Sequence, residues 1–159
     1  MKKQALVMAV VAMFVIAVIV ACSRQPAEAQ LPPLKTRPTP QAVVDEHLEA
    51  LNACDWERLM AQYPDNAEVF LPGGMVLQGR EKVAEMFRNA VKPFKEGGLC
   101  GVKFTPQHTF VVEGTVNASW SANADFLAEP YLGADAYVTK DGLMAAMVTT
   151  FDRAAMKVK

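Results

Sequence analysis

Apolar residues recur every three or four positions in three stretches of the first half of the chain, as they do on the buried face of a helix. Each stretch follows a residue that commonly precedes a helix, namely Thr39, Asp55 and Gly79. Pro40 occupies the first helical position of the first stretch, and Pro64 ends the second. The pattern therefore predicts three helices.

The periodicity changes after Gly98, where apolar and polar residues alternate as they do in strands. Asp141-Gly142 separates two alternating runs and is typical of a hairpin turn. On the last strand, alternation places Leu143 and Ala145 on the same face as Met147. Three helices followed by antiparallel strands predict an α+β fold. The predicted strands are 67–71 and 75–77 before the third helix, and 101–113, 115–127, 130–140 and 143–152 after it.

The N-terminus has a different pattern, because Lys2 and Lys3 precede 17 consecutive apolar residues, 5–21. Such a run predicts an export signal at residues 1–21. Residues 22–40 are rich in proline and lack apolar periodicity, which predicts an extended tether. A folded domain at 41–153 and a tail at 154–159 complete the predicted organisation.

The segment that ends at Cys22, Ile19-Val20-Ala21-Cys22, resembles a bacterial lipobox. The resemblance implies that the chain is cleaved before Cys22 and that a lipid on its sulfur anchors the protein to a membrane. We therefore expect the domain in the bacterial cell envelope, facing the periplasm. Two alternatives remain open: cleavage after Ala29 would give a secreted or periplasmic soluble protein, and an uncleaved apolar segment would serve as the anchor.

The charge and the reactive residues narrow the choice of partners. The net charge of −1 becomes −3 without Lys2 and Lys3, which argues against a nucleic-acid partner. The two histidines lack the spacing to Asp or Glu residues that a zinc site requires, and the sequence has no phosphate-binding motif. We therefore expect neither a metal nor a cofactor. Cys54 and Cys100 are the thiols that remain beside Cys22, and we expect both to be free and buried.

Two segments resemble SnoaL-like domains of the nuclear transport factor 2-like superfamily: 44–71 (VDEHLEALNACDWERLMAQYPDNAEVFL) and the run Asp135-Ala136-Tyr137-Val138-Thr139 before the predicted hairpin. The resemblance covers roughly residues 41–153. It implies a curved sheet wrapped as a cone around three N-terminal helices, with an apolar pocket that opens at the mouth of the cone. The residues expected to line this pocket are Trp56, Tyr63, Leu71, Phe87, Trp120, Tyr137, Met147 and Thr149.

The ketosteroid isomerases of this superfamily use a carboxylate base, a tyrosine and a protonated acid. By resemblance these positions fall on Leu71, His47 and Asp135. Leu71 cannot carry a proton, so Asp135 and His47 are the candidate catalytic residues of a metal-free acid/base isomerase, cyclase or lyase. Acid/base catalysis by these residues is the alternative function. The function that we expect first is binding of a small, largely apolar molecule. A third is an interaction module that forms homodimers within an envelope complex.

Overall fold

The computed structural model describes residues 30–159, apart from the side chain of Arg153. The predicted signal at 1–21, the lipidation site Cys22 and the alternative cleavage site at Ala29 lie outside the described residues. Within residues 30–159 no helix is long and apolar enough to cross a membrane.

Three helices form where the apolar periodicity predicts them: α1 (Pro40–Asn52), α2 (Trp56–Met60) and α3 (Arg80–Ala90). The Thr39 hydroxyl accepts the amide hydrogen of Ala42 at 3.1 Å and begins α1. Asp55 begins α2 in the same way, since its carboxylate accepts the amide hydrogen of Arg58 at 2.9 Å.

The sheet contains six strands: β1 (Glu68–Leu71), β2 (Met75–Gln78), β3 (Lys103–Val112), β4 (Thr115–Asn123), β5 (Tyr131–Lys140) and β6 (Leu143–Thr150). They form one curved, unclosed sheet in the order β2-β1-β6-β5-β4-β3. All neighbours are antiparallel except β1 and β6, which run parallel and are separated along the chain by α3 and the four other strands. The predicted α+β class is confirmed.

A bulge changes which side chains of β6 reach the core. Val138 pairs with Ala146 and Thr139 pairs with Met144, so Ala145 is an extra residue in the ladder. Met144 is fully buried as a result, and Leu143 and Ala145 are only half-buried. The prediction that those two share the face of Met147 is wrong, because alternation fails across a bulge.

The described part of the predicted tether lies on the domain. The side chain of Leu31 packs against the core, and the carbonyl of Pro32 accepts a hydrogen bond from the guanidinium of Arg80. Further along, the amide of Arg37 donates a hydrogen bond to the carbonyl of Gly142 at 2.9 Å. The two backbones are so close here that a side chain on residue 142 would collide with the backbone of Arg37. These contacts attach the described part of the segment to the fold from Leu31 onward.

Cys54 and Cys100 form a disulfide, which corrects the prediction of two free, buried thiols. Both residues are half-buried, and their Cα atoms are 5.8 Å apart. The side chain of Asn52 exchanges hydrogen bonds of 2.9 and 2.8 Å with the backbone of Phe104, which fixes the end of α1 beside the start of β3. This approach joins positions separated by 46 residues, and no local pattern in the sequence reports it.

Candidate functional site

A buried carboxylate, Asp135, lies on the inner face of β5 and is 9% exposed. Its Oδ2 atom accepts two hydrogen bonds, from Trp120 Nε1 at 2.9 Å and from the Tyr137 hydroxyl at 2.7 Å. Tyr137 shares the face of Asp135 because the two are separated by one residue of the same strand, and Trp120 lies on the inner face of neighbouring β4. Strand alternation therefore assembles the three side chains.

Gly133 makes room for the indole of Trp120, which lies directly opposite on β4. A Cβ atom at Gly133 would lie 2.2 Å from Cζ2 of that indole. The glycine is therefore required for close approach and not for an unusual backbone angle. Sequence reasoning missed this residue, although a glycine inside a strand is a recognised signal of such an approach.

The two oxygens of Asp135 have different environments. Burial raises the pKa of the Asp135 carboxyl, and hydrogen bonding to Thr149 and Tyr137 opposes that rise. Thr149 lies across from Asp135 on β6. No donor in the described part of the chain makes a hydrogen bond of good geometry to Oδ1, which is nevertheless buried. Oδ2 therefore has two hydrogen bonds of good geometry and Oδ1 has none, although the Thr149 side chain and the Thr150 backbone also stabilise the charged carboxyl.

His47 lies on α1, 2% exposed, among aromatic rings. Its ring centroid is 5.7 Å from that of Phe87 and 5.6 Å from that of Tyr137. Its Nδ1 atom is 3.4 Å from the hydroxyl of Tyr63, which also approaches the sulfur of Met147 at 3.8 Å. Burial lowers the pKa of His47 to about 4, so the imidazole is neutral at neutral pH.

His47 and Asp135 are near neighbours that do not pair directly. Among the hydrogen bonds of residues 30–159 none joins them, and Tyr137 stands between, with its ring beside His47 and its hydroxyl on Asp135. Trp120 and Tyr137 therefore donate to Asp135, and His47 does not. The acid/base roles of the two residues stay a prediction.

The residues predicted to line the pocket fall into two groups. Five are buried in the interior around His47 and Asp135: Tyr63, Phe87, Trp120, Tyr137 and Met147. The other three, Trp56, Leu71 and Thr149, are half-buried. Trp56 is directed at α3, because its indole donates to the carbonyl of Ala84 at 3.0 Å and its ring lies under the guanidinium of Arg88 at 4.5 Å.

A cavity of about 510 Å³ opens between the start of β3 and the loop 124–130. Its walls include Lys103, Asp125 and Glu129, and none of the predicted pocket residues lines it. Residues 30–159 contain no cluster of three or more metal-ligating side chains. The interior around Asp135 is instead occupied by the aromatic side chains described above.

The fold and the inward carboxylate place the chain among the proteins with a curved sheet around helices, the nuclear transport factor 2-like class. The family model described as SnoaL-like domain matches residues 44–150. The chain belongs to that family, as its sequence motifs predicted. No curated protein matches it.

Solved structures share the fold at low sequence identity. A nuclear transport factor 2-like protein of unknown function from Cytophaga hutchinsonii is 17% identical, with a TM-score of 0.59 over 76% of this chain and 96% of that one. A putative ketosteroid isomerase from Kribbella flavida is 16% identical, with a TM-score of 0.59 over 72% and 78%. The epoxide hydrolase/cyclase-like enzyme SalBIII, concerned with pyran ring formation in the polyether salinomycin, is 18% identical, with a TM-score of 0.62 over 76% and 95%.

Proposed function

We propose that this SnoaL-like domain binds a small, largely apolar molecule inside the cone, beside Asp135, at the surface of a bacterial membrane. The observation that carries the proposal is the asymmetry of the Asp135 carboxyl, whose Oδ2 accepts two hydrogen bonds of good geometry and whose buried Oδ1 accepts none of that quality. A buried polar atom without a partner destabilises the folded protein by roughly 1–3 kcal/mol. A ligand that supplied the missing partner would recover this free energy on binding.

The chemistry of the surroundings defines the ligand class. Trp120 can only donate a hydrogen bond, so the Asp135 oxygen that it contacts must accept. Two aromatic side chains, Trp120 and Tyr137, contact the carboxyl. A compact aromatic or alicyclic molecule with one hydroxyl group fits both features, because its body replaces apolar contacts and its hydroxyl pairs with Oδ1.

Binding of 2-naphthol, compared with 2-methoxynaphthalene, tests this proposal. Both probes have the same apolar body, and only the first can donate a hydrogen bond. We expect the wild-type domain to prefer 2-naphthol by about fivefold to tenfold, as one net hydrogen bond of about 1 kcal/mol or slightly more would give. Calorimetry should show that Asp135→Asn removes the preference. Asp141→Asn, a change of the same type in the β5–β6 turn, should keep it.

Equal binding of the two probes would contradict the proposal, and so would an unchanged preference in Asp135→Asn. Failure of both probes to bind the wild-type protein would also count against it.

A second candidate is acid/base catalysis without a cofactor. Burial lowers the pKa of His47 and raises the pKa of Asp135, and both groups lie in an apolar interior. Groups with shifted pKa values in such a setting are suited to proton transfer, which supports this candidate. Hydrogen–deuterium exchange at the α-carbon of a cyclic enone, followed by NMR, would detect proton transfer. Leu71→Asp should increase the exchange rate if Leu71 occupies the position of a missing base.

A third candidate is homodimerisation through the outer face of the sheet. One row across that face consists of Phe110, Asn117, Ala136 and Val148, and it carries no charge. Phe110 is 67% exposed and Val148 is 40% exposed, and exposed apolar side chains that lie together on one face are typical of interaction surfaces. Native mass spectrometry of the wild type and of Phe110→Lys should give a dimer and a monomer, respectively. A monomeric wild type would end this candidate.

The membrane location rests on the lipobox-like segment. Cys22→Ser should abolish labelling of the protein by a fatty-acid probe and release it from the membrane fraction. Unchanged labelling, or a mature N-terminus at Gln30, would contradict the lipid anchor and leave the binding proposal intact.

A further inference from the structure

A second apolar cluster, here called the mouth cluster, lies apart from the main core. Its buried members are Val102, Trp120, Ala122, Leu127 and Tyr131, and Phe126, Phe151 and Met156 are partly buried around them. Trp120 connects the cluster to the site, because its ring packs in the cluster and its indole nitrogen donates to Asp135. Any ligand that reaches Asp135 from this end must displace mouth-cluster side chains.

Two chain segments cover the mouth cluster: the loop 124–130 and the C-terminal residues 154–159. Leu127 and Val158 form an isolated antiparallel bridge. Two backbone hydrogen bonds flank it, from the amide of Ala128 to the carbonyl of Lys157 at 2.9 Å and from the amide of Lys159 to the carbonyl of Phe126 at 3.0 Å. The sequence predicted residues 154–159 as a tail, whereas the structure pairs them with this loop.

We propose that residues 124–130 and 154–159 form a lid over the Asp135 site, and that the lid opens to admit the ligand. The inference rests on the proposed binding function and adds its control of access. Leu127 is the part of the lid that reaches furthest inward, with 6% exposure, and the ring of Phe126 stacks on Phe94 at 3.6 Å. Closure therefore buries apolar surface that opening would expose.

The polar contacts that join the two segments of the lid are few and exposed. Its one bridge lies at the end of the chain, and its ion pair, Lys157 with Glu129 at 2.9 Å, has both side chains more than half exposed. Exposed ion pairs add little to stability. The strands that carry Asp135 and Trp120 are paired over eight positions. Short, terminal, exposed pairings open locally while continuous ladders stay closed.

Trp120 provides a direct reporter of opening. The chain has two tryptophans, so Trp56→Phe leaves Trp120 as the single indole. In this background the closed lid should protect Trp120, which is 5% exposed, from quenching by acrylamide. Deletion of residues 154–159 should increase the quenching constant several-fold and accelerate association of 2-naphthol. A deletion that leaves Trp120 as protected as before would overturn the lid.

A reversible lock gives the sharper test and does not depend on a truncated chain. Leu127 and Val158 lie opposite each other, and the two flanking hydrogen bonds are made by their neighbours. In such a pair the Cα atoms are about 4.5 Å apart. A disulfide can join two cysteines at this distance. Leu127→Cys with Val158→Cys, oxidised, should slow 2-naphthol association by at least about tenfold, and reduction should restore it. The Trp56→Phe protein with and without reductant is the control, because reductant also acts on Cys54 and Cys100.

The outcomes separate the two proposals. If the locked protein binds 2-naphthol as fast as the reduced one, the lid is wrong and the binding function stands. If 2-naphthol binds to no variant, while Trp120 quenching rises on deletion and falls on locking, the binding function is wrong and the lid stands.

Discussion

The main core and the mouth cluster contain similar side chains but differ in what holds them. In the main core, Leu59, Tyr63 and Met144 are fully buried between helices and the sheet. In the mouth cluster, Leu127 and Tyr131 are buried against loops and the end of the chain. We therefore expect local stability to depend on the continuity of the backbone pairing beneath the side chains as well as on apolar burial.

Two polar residues of the interior, His47 and Asp135, also differ in their surroundings. His47 belongs to the main core and meets only aromatic rings and one tyrosine hydroxyl. Asp135 borders the mouth cluster and has one oxygen without a partner. Burial lowers the pKa of His47 and raises that of Asp135, so it favours the neutral form of both. Of the two groups, only Asp135 has hydrogen bonds, from Thr149, Tyr137 and Trp120, that oppose this effect of burial on its pKa, and only Asp135 lies beside the proposed entrance.

The largest expected effect separates the two clusters directly. Leu59→Ala should lower the free energy of unfolding by about 2–5 kcal/mol, because it leaves a cavity in the main core. Leu127→Ala should cost clearly less in global stability, because the lid can open without unfolding the domain. Urea denaturation of both variants measures the difference. Equal losses would mean that the mouth cluster and the main core unfold as one unit.

The disulfide should have a slightly smaller effect. Replacing both Cys54 and Cys100 with serine should lower the free energy of unfolding by about 2–4 kcal/mol, since a constraint on the unfolded chain is lost. Reductant should destabilise the wild type and have no effect on the double variant. A wild type that is indifferent to reductant would show that the cysteines are free in solution.

His47 should make the stability depend on pH. Its pKa falls from the ordinary 6.5 to about 4 on folding, so between these values the unfolded chain takes a proton that the folded domain refuses. This contribution is fully present above pH 6.5, and roughly 3 kcal/mol is lost as the pH falls to about 4. His47→Gln should remove that part of the slope. His108→Gln, at an exposed position of β3, should retain it.

The smallest expected effect concerns the junction of the two clusters. Gly133→Ala should lower the free energy of unfolding by about 1–3 kcal/mol, because the new methyl group collides with the indole of Trp120. The fluorescence of Trp120 should change as its bond to Asp135 is disturbed. Adding Trp120→Phe should relieve the collision, so the two substitutions should couple in a double-mutant cycle. Additive effects would place the strain elsewhere.

Local pattern was sufficient for the elements and for much of the candidate site. Helical spacing and the capping residues Thr39 and Asp55 located α1 and α2, because the signals lie within a few positions of each other. Strand alternation placed Asp135 and Tyr137 on one face of β5 for the same reason, and the family resemblance implied that this face and that of Trp120 point inward. The family followed from contiguous motifs and is confirmed by the match over residues 44–150.

Tertiary structure alone decided the features that depend on distant approach. The disulfide of Cys54 with Cys100 and the pairing of Leu127 with Val158 join segments that no local pattern relates. The bulge at Ala145 shifted the inward face of β6, since one inserted residue reverses alternation. The sequence by itself determined the elements and, where no bulge intervenes, which residues share a face of each element. Which of them meet, and which oxygen of Asp135 lacks a partner, depended on how the elements pack.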